Sequence, residues 1–201
     1  MRKRGLKIVS AFDFDGTLTT KDTLLEFIRY ARGTRRFVAG FALFTPLIML
    51  MKLHVMPNWK VKQRLFSWFF KGVSLDDFNG LCNAFARDRA CLLRPEGMQS
   101  VMKSVEEGSK VVIISANIDN WVRPFFRDLP VTVCGTRLEV VDGMLTGRFS
   151  SSNCYGYEKV RRLLEICPER DSYRLVAYGD SRGDKELLAF ADERYYKTFR
   201  R

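Results

Sequence analysis

The 201-residue sequence contains one histidine and five cysteines, and no two cysteines form a CxxC pair. A single histidine makes His-based metal sites and Ser-His-Asp triads poor candidates. The absence of CxxC argues against a zinc ribbon or a thioredoxin-like redox site. The odd number and wide spacing of the cysteines favour reduced thiols in a cytoplasmic chain, mostly as small core residues.

Internal repeats, low-complexity linkers and a signal peptide are also missing from the pattern. The basic N-terminus leads into a short apolar run that ends in two aspartates, which does not match a secretory signal. Hydrophobic residues make up 46% and charged residues 28% of the chain, which excludes a disordered tail and a polytopic membrane protein. The length is sufficient for a hydrophobic core without disulfide or metal support.

Positive charge is abundant and unevenly distributed. The formal net charge is +11, and the segment 21–94 contains 13 Lys and Arg residues against five Asp and Glu residues. Such a segment attracts polyanions, which include nucleic acid, an anionic membrane surface and a phosphorylated substrate. The alternative interpretation is a solvated basic face.

The most apolar stretch runs from Phe37 to Met51 and is bounded by Arg36 and Lys52. As a helix it would span about 22 Å, which is shorter than the ~30 Å hydrocarbon core of a bilayer. Pro46 is expected to kink it. The stretch therefore favours a helix packed in the protein core, with a helix in a membrane interface as the alternative.

The pattern of apolar runs predicts an α/β fold, namely a doubly wound parallel sheet. Helical texture over 23–93 predicts about four helices inserted after the first strand, with a good helix start at Ser74. The second half alternates strands with helices, and Asp142-Gly143 predicts a hairpin. The predicted strands are 7–12, 110–115, 131–134, 174–178 and 194–197, and the predicted helices of the second half are 97–107, 120–129, 157–166 and 184–190.

Ligands of such sheets bind beyond the carboxyl ends of the strands. Three strand ends and the start of one helix would bring four carboxylates, a hydroxyl and a lysine to one rim. These residues are Asp13, Asp15, Ser115, Asp180, Asp184 and Lys159. Because four acids repel one another, they predict a hard divalent cation with oxygen ligands, most simply Mg²⁺.

This set of residues suits phosphoryl transfer. Asp13 can attack phosphorus and form an aspartyl-phosphate, and Asp15 can act as the general acid and base. Lys159 and Ser115 can hold the phosphoryl oxygens, together with backbone N–H groups near Ser115. Gly16 allows a sharp turn after the first strand.

The motifs DFDGT, the IIS strand end, Lys159 and GDSRGD occur in the order typical of the haloacid dehalogenase superfamily, which the whole chain resembles. The resemblance implies that Asp13 is the nucleophile and Asp15 the acid/base. It implies Mg²⁺ ligands from the Asp13 carboxylate, the Asp15 backbone carbonyl and Asp180. Thr17 and Asp184 would support the site from outside the ligand set. The expected phosphate-binding residues are Ser115, Ala116, Asn117 and Lys159.

The insertion resembles the helical C1-type cap of subfamily IB, which includes phosphoserine phosphatases and phosphatidylglycerophosphate phosphatases. The resemblance predicts a core domain of residues 1–19 and 95–201 and a cap domain of residues 20–94. Asp22 stands where phosphoserine phosphatases have a substrate-binding Glu, so it could contact substrate or only cap a helix. The last motif also departs from the commoner GDGxND form.

We therefore expect an Mg²⁺-dependent phosphomonoesterase whose basic, apolar cap selects an anionic or lipid-linked phosphate. One alternative is a small-metabolite phosphatase of the phosphoserine phosphatase type. Another is a non-catalytic module that binds a membrane or nucleic acid, although nucleic acid is the less favoured partner. The expected location is the cytoplasm, with peripheral contact at the inner face of the membrane as an option.

Overall fold

The computed structural model describes residues 6–200 and has a five-stranded parallel sheet at its centre. Its strand order is β3-β2-β1-β6-β7, and β4 and β5 form a separate antiparallel hairpin. The strands are β1 (Lys7–Phe12), β2 (Lys110–Ile118), β3 (Thr132–Thr136), β4 (Leu138–Val141), β5 (Met144–Phe149), β6 (Tyr173–Gly179) and β7 (Glu193–Tyr196). The sheet confirms the predicted doubly wound α/β class. Residues 1–5 and 201 of the predicted core domain lie outside the described residues.

Helices cover both faces of the sheet. They are α1 (Thr23–Lys52), α2 (Asn58–Phe70), α3 (Leu75–Asp88), α4 (Pro95–Glu106), α5 (Asp119–Val122), α6 (Tyr157–Ile166) and α7 (Lys185–Phe190). The Ser74 side chain caps α3 as expected, because its Oγ accepts a hydrogen bond from Asp77 N at 3.1 Å. We call residues 20–94, which contain α1 to α3, the helical segment.

Helix α1 bends at Gly33, a bend that was not expected, while the backbone angles at Pro46 stay helical. Gly33 has φ 76° and ψ 161°, a conformation that is essentially restricted to glycine. Pro46 lies within the helix. Both Pro46 and Ala42, whose carbonyl loses its usual N–H partner, are exposed, so water can satisfy that carbonyl.

The apolar stretch within α1 also differs from the prediction. Of residues 37–51 only Gly40 is buried, so the interpretation of this stretch as a core helix is wrong for most of its length. The aromatic side chains Phe37, Phe41 and Phe44 pack partly against the core. The aliphatic side chains between them face outward.

Two predicted elements end three or more residues away from the predicted position. Strand β2 continues three residues past Ser115, because buried Ile118 pairs with Thr136 of β3 across an irregularity that follows Ile114. The predicted helix 120–129 is instead the four-residue helix α5 followed by a 3₁₀ turn at Arg123–Phe126. Pro124 lies in that turn and has no N–H for an α-helical bond.

The hairpin confirms the Asp142-Gly143 signal. Both residues have positive φ, 51° and 74°, as a two-residue type I′ connection requires. The hairpin packs on the helical segment: Gly72 N donates to Leu145 O at 2.8 Å, and Leu145 N donates to Val73 O at 2.9 Å.

The side chains of the sheet alternate between two hydrophobic cores. Ile113 of β2 belongs to the core shared with the helical segment, whereas its neighbour Ile114 belongs to the core beneath α6 and α7. Four of the five cysteines are buried and all five are free thiols; Cys91 is the exposed one.

Candidate active site

A cavity of about 390 Å³ opens at the carboxyl edge of the sheet, where the motifs were expected to meet. Residues from the ends of β1, β2 and β6 line it together with residues of the helical segment. The lining includes Asp13, Asp15, Gly16, Asp22, Asn58, Lys62, Ser115, Ala116, Asn117, Tyr155, Lys159, Asp180 and Arg200.

Asp13 directly follows β1 and is almost completely buried. Its Oδ1 accepts a hydrogen bond from Lys159 Nζ at 2.5 Å, and its Oδ2 accepts one from Thr17 Oγ1 at 3.0 Å. Burial raises the pKa of Asp13 to about 7, although the positive charge of Lys159 opposes this shift. The carboxylate is therefore desolvated and held in one orientation.

The Asp15 carboxyl group lines the same cavity as Asp13 but has different hydrogen-bond partners. Its Oδ1 accepts hydrogen bonds from Thr23 N at 2.9 Å and from Thr23 Oγ1 at 2.7 Å, and its Oδ2 is bonded to Asn117 Nδ2. Burial, followed by the charge of Asp22, raises the pKa of Asp15 to about 6. An acid with this pKa can hold or release a proton near neutral pH.

Lys159, in the first turn of α6, is completely enclosed. Its Nζ donates to Asp13, to Asp184 Oδ1 at 2.6 Å and to the carbonyl oxygen of Ile114 at 3.2 Å. Burial alone would lower the pKa of Lys159, but the carboxylates of Asp13 and Asp184 outweigh burial and raise it. The ammonium group therefore remains charged between two acids.

Asp180 directly follows β6 and lines the cavity, whereas Asp184 is fully buried behind it. Asp184 Oδ2 accepts hydrogen bonds from Asp180 N at 3.1 Å and from Ser181 N at 2.9 Å, while Arg200 is bonded to Asp180 Oδ2. Burial raises the pKa of Asp180. Burial would also raise the pKa of Asp184, but the charge and hydrogen bond of Lys159 outweigh it and lower that pKa.

Three carboxylates of the site could hold one cation. One oxygen each from Asp13, Asp180 and Asp184 lies within 4.8 Å of the others. Hard oxygen donors at this spacing fit a divalent ion such as Mg²⁺. Asp184, which was expected outside the ligand set, therefore lies close enough to act as a ligand together with Asp13 and Asp180. The Asp15 carboxyl group is instead hydrogen-bonded to Thr23 and Asn117. Thr17 supports the group through bonds to Asp13 and, at 3.4 Å, to Asp180 Oδ1.

Three of the four residues expected to bind phosphate, Ser115, Ala116 and Asn117, follow one another in β2. Ser115 Oγ accepts a hydrogen bond from Asn117 N at 3.0 Å, so that N–H is occupied within the strand end. The carbonyl oxygen of Ala116 accepts hydrogen bonds from Lys62 Nζ and Thr136 Oγ1. The Asn117 side chain forms hydrogen bonds with Asp15 and Lys62. Their role toward phosphate stays a prediction.

Asp22 combines both roles considered for it. Its Oδ1 accepts a hydrogen bond from Leu24 N at 2.9 Å and so caps α1, and the residue also lines the cavity. Contact with substrate stays a prediction.

Two cationic residues of the site were not anticipated. Lys62 reaches from α2 to Ala116 O at 2.8 Å and to Asn117 Oδ1 at 2.7 Å. Arg200, from the end of the chain, donates to Gly16 O at 3.3 Å and contacts Asp180. The only sequence signal for Lys62 was the excess of basic residues in the helical segment, and Arg200 had none.

The fold and the cavity define the chain as a doubly wound α/β protein with carboxylates and a buried lysine at the carboxyl edge of its sheet. The chain belongs to the haloacid dehalogenase-like hydrolase family, whose model matches residues 11–189. This match confirms the superfamily predicted from the motifs and the assignment of the chain as a hydrolase.

Similar proteins cover nearly the full length. Protein CicA of Caulobacter vibrioides is 37% identical over 196 residues, which are 96% of this chain and 87% of CicA. A Bordetella pertussis protein of unknown function has a similar structure, with a TM-score of 0.82, 18% identity and coverage of 94% and 89% of the two chains. A substrate-bound phosphoserine phosphatase has a TM-score of 0.64, 18% identity and coverage of 94% and 85%.

Proposed function

We propose that the chain is a cytoplasmic Mg²⁺-dependent phosphatase that hydrolyses a phosphate monoester through an aspartyl-phosphate on Asp13. The observation that carries the proposal is the cluster of Asp13, Asp180 and Asp184 at the carboxyl edge of the sheet, with the Lys159 ammonium paired to Asp13 and Asp184. Membership of the hydrolase family and the likeness to phosphoserine phosphatase structures support it. When bound, Mg²⁺ would offset the charge of the carboxylates and of the phosphoryl group.

In the first step an Asp13 carboxylate oxygen attacks phosphorus, and the bond from phosphorus to the ester oxygen breaks. Asp15 donates its proton to that oxygen, which leaves as an alcohol. In the second step Asp15 takes a proton from water, whose oxygen attacks phosphorus and releases phosphate from Asp13. Lys159 holds Asp13 in place and offsets its negative charge, while Ser115 is suited to bind a phosphoryl oxygen.

We propose that the helical segment acts as a cap domain over this site, and that its charge selects the substrate. Lys62 brings an ammonium group from α2 to the cavity wall. Two of its three donors are used by Ala116 and Asn117, which leaves one for an anion. This placement favours a substrate with negative charge beyond the reacting phosphate, whether a small metabolite or a lipid-linked phosphate.

A phosphate-release assay in the presence of Mg²⁺ tests the proposal. The substrates are p-nitrophenyl phosphate, sugar phosphates, nucleotides, phosphoserine and lipid phosphates. Wild type should turn over at least one class, and Asp13→Asn should release no phosphate while keeping its circular dichroism spectrum. Turnover that survives in Asp13→Asn would reject the nucleophile. Lack of turnover across all classes would favour the non-catalytic binding module.

Asp15→Asn provides a test of the acid. Its rate should fall about 10²- to 10⁴-fold with alkyl phosphates, whose leaving oxygen needs a proton. The loss should be much smaller in the formation of phosphoenzyme from p-nitrophenyl phosphate, which has a good leaving group. A burst of nitrophenol followed by slow hydrolysis is the expected signature, and equal losses for both substrates would contradict the role.

A further inference from the structure

An exposed apolar surface lies where α1 and α2 meet. Leu43 is 63% exposed, Leu53 69% and Val55 70%. We call this surface the apolar tip, and it comprises the outward side chains of residues 38–59. Its other exposed large side chains are Val38, Met49, Leu50 and Trp59. Soluble monomers rarely expose contiguous apolar patches of this kind without a partner.

The charge around the apolar tip has one sign. From residue 27 to residue 75 the chain contains nine Lys and Arg residues and no Asp or Glu. Exposed Arg35 and Arg36 precede the apolar stretch, Lys52 ends it, and Lys60 and Arg64 lie on α2. A second copy of the chain would bring positive charge against positive charge. An apolar surface surrounded by cations fits a partner that is anionic outside and apolar inside.

The geometry points to the apolar tip as a docking surface for an anionic lipid membrane, with α1 lying in the headgroup region. By length and composition α1 could cross a bilayer. Its apolar stretch Phe37–Met51 alone would reach only about 22 Å, and Gly40 within it packs against Trp68 and Phe69 of α2. Basic residues with leucine and tryptophan side chains are typical of helices that lie in the interface. Nucleic acid would pair with the charges but leave the apolar side chains in water.

The same surface adjoins the active-site cavity. Asn58 and Lys62 line the cavity, and exposed Trp59 lies between them in sequence. Docking of Trp59 would therefore bring the part of α2 that lines the cavity close to the lipid surface. The inference concerns binding and does not depend on the proposed reaction, although it would bring a lipid-linked phosphate within reach.

Sedimentation with sucrose-loaded vesicles tests the proposal. Wild type should bind vesicles of phosphatidylcholine with about one-third phosphatidylglycerol, and should bind pure phosphatidylcholine at least about tenfold more weakly, because several cations contribute. Added 0.5 M NaCl should release much of it. Wild type that stays in the supernatant with anionic vesicles would overturn the proposal.

Matched double variants separate the tip from net charge. Leu53→Glu with Val55→Glu should reduce partitioning at least about tenfold, since it loses apolar contact and adds two negative charges. Met102→Glu with Val141→Glu adds the same charge at exposed sites outside the tip and should bind nearly as wild type. Equal binding by both double variants would overturn the assignment to the tip.

Two further readouts guard against misinterpretation. The thermal midpoint checks that each variant is folded. In Trp68→Phe, where Trp59 is exposed and Trp121 is buried, the tryptophan fluorescence should shift to the blue on anionic vesicles, and adding Trp59→Phe should remove most of that shift. The proposal would be rejected if wild type does not bind vesicles but forms a dimer, and if Leu53→Glu with Val55→Glu dissociates that dimer. The apolar tip would then bind a second copy of the chain and not a membrane.

Discussion

The pKa values of two lysines beside the same cavity are shifted in opposite directions by burial and nearby charge. Lys159 contacts two carboxylates at 2.5 and 2.6 Å, and they raise its pKa although burial opposes them. Lys62 donates to a carbonyl and an amide oxygen, and burial lowers its pKa to about 8. One ammonium group is therefore stabilised by its surroundings and the other is destabilised.

This difference predicts the stability of two matched variants. Lys159→Met should lower the free energy of unfolding by about 3–5 kcal/mol in metal-free buffer, because it leaves two buried carboxylates unpaired. Lys62→Met removes a destabilised charge and should change stability far less. Urea unfolding followed by circular dichroism measures both. Equal losses would show that Lys159 is not the counter-charge of the acids.

Lys62 also predicts a dependence on pH. Its ammonium group is charged below pH about 8 and loses its proton above that value. If it binds an anionic substrate, KM should rise about tenfold from pH 7 to pH 9 with a smaller change in kcat, because one charge-assisted hydrogen bond is lost. Lys62→Arg should keep KM low to pH 9. A flat KM in wild type would remove Lys62 from substrate binding.

The predictability of the site depends on where each residue comes from. Asp13 and Asp180 directly follow strands, and Lys159 lies in the first turn of the helix α6 that leads to β6, so the topology of a parallel sheet brings them to one edge. Lys62 comes from α2, whose position depends on how the inserted helices pack. Arg200 contacts Asp180 through the conformation of the chain end. No local sequence pattern predicts how the inserted helices pack or which conformation places Arg200 beside Asp180.

At the scale of elements, one glycine determines the course of α1. The backbone dihedral angles of Gly33 are not helical, and a Cβ atom built at this position would have no neighbour within 4 Å. The restriction at Gly33 therefore comes from the backbone and not from crowding. The bend allows the first turns of α1 to stay beside the cavity while the later turns pack against α2.

Gly33→Ala should lower the free energy of unfolding by about 1–3 kcal/mol, because alanine disfavours this conformation. Gly80→Ala is the matched control, since Gly80 lies inside α3 and also has nothing within 4 Å of a built Cβ. It should be stabilising by about 0.5–1 kcal/mol. Thermal unfolding of both variants gives the comparison, and a neutral or stabilising Gly33→Ala would contradict the proposed restriction.

Elements were predictable where chemistry is local. The Ser74 cap and the Asp142-Gly143 turn depend on residues adjacent in sequence, and both occur as expected. The bend of α1 at Gly33 was not expected, and exposed Pro46 keeps helical backbone angles because water can satisfy the freed carbonyl. Exposure of that helix face is a property of the tertiary structure, which the periodicity of α1 does not reveal.

At the scale of the whole molecule, the helical segment shares its hydrophobic core with the sheet. Phe27 of α1 stacks on Trp121 of α5 with ring centroids 4.8 Å apart, and it also contacts Phe70, Phe78 and Phe85 of α2 and α3. The same cluster extends to Phe12 and Ile113 of the sheet. A cap domain of residues 20–94 would therefore lose much of its hydrophobic core, which the sheet supplies, if it were excised.

The shared core predicts that the chain unfolds as one cooperative unit. Urea curves from circular dichroism and from Trp121 fluorescence, measured in Trp59→Phe/Trp68→Phe, should coincide. Phe27→Ala should lower the free energy of unfolding by about 3–5 kcal/mol and move both curves together. Leu187→Ala, in the core on the other face of the sheet, should shift the same single transition. Two separated transitions, with Phe27→Ala moving only one, would instead show a helical segment that folds independently and is free to move over the cavity as a rigid lid.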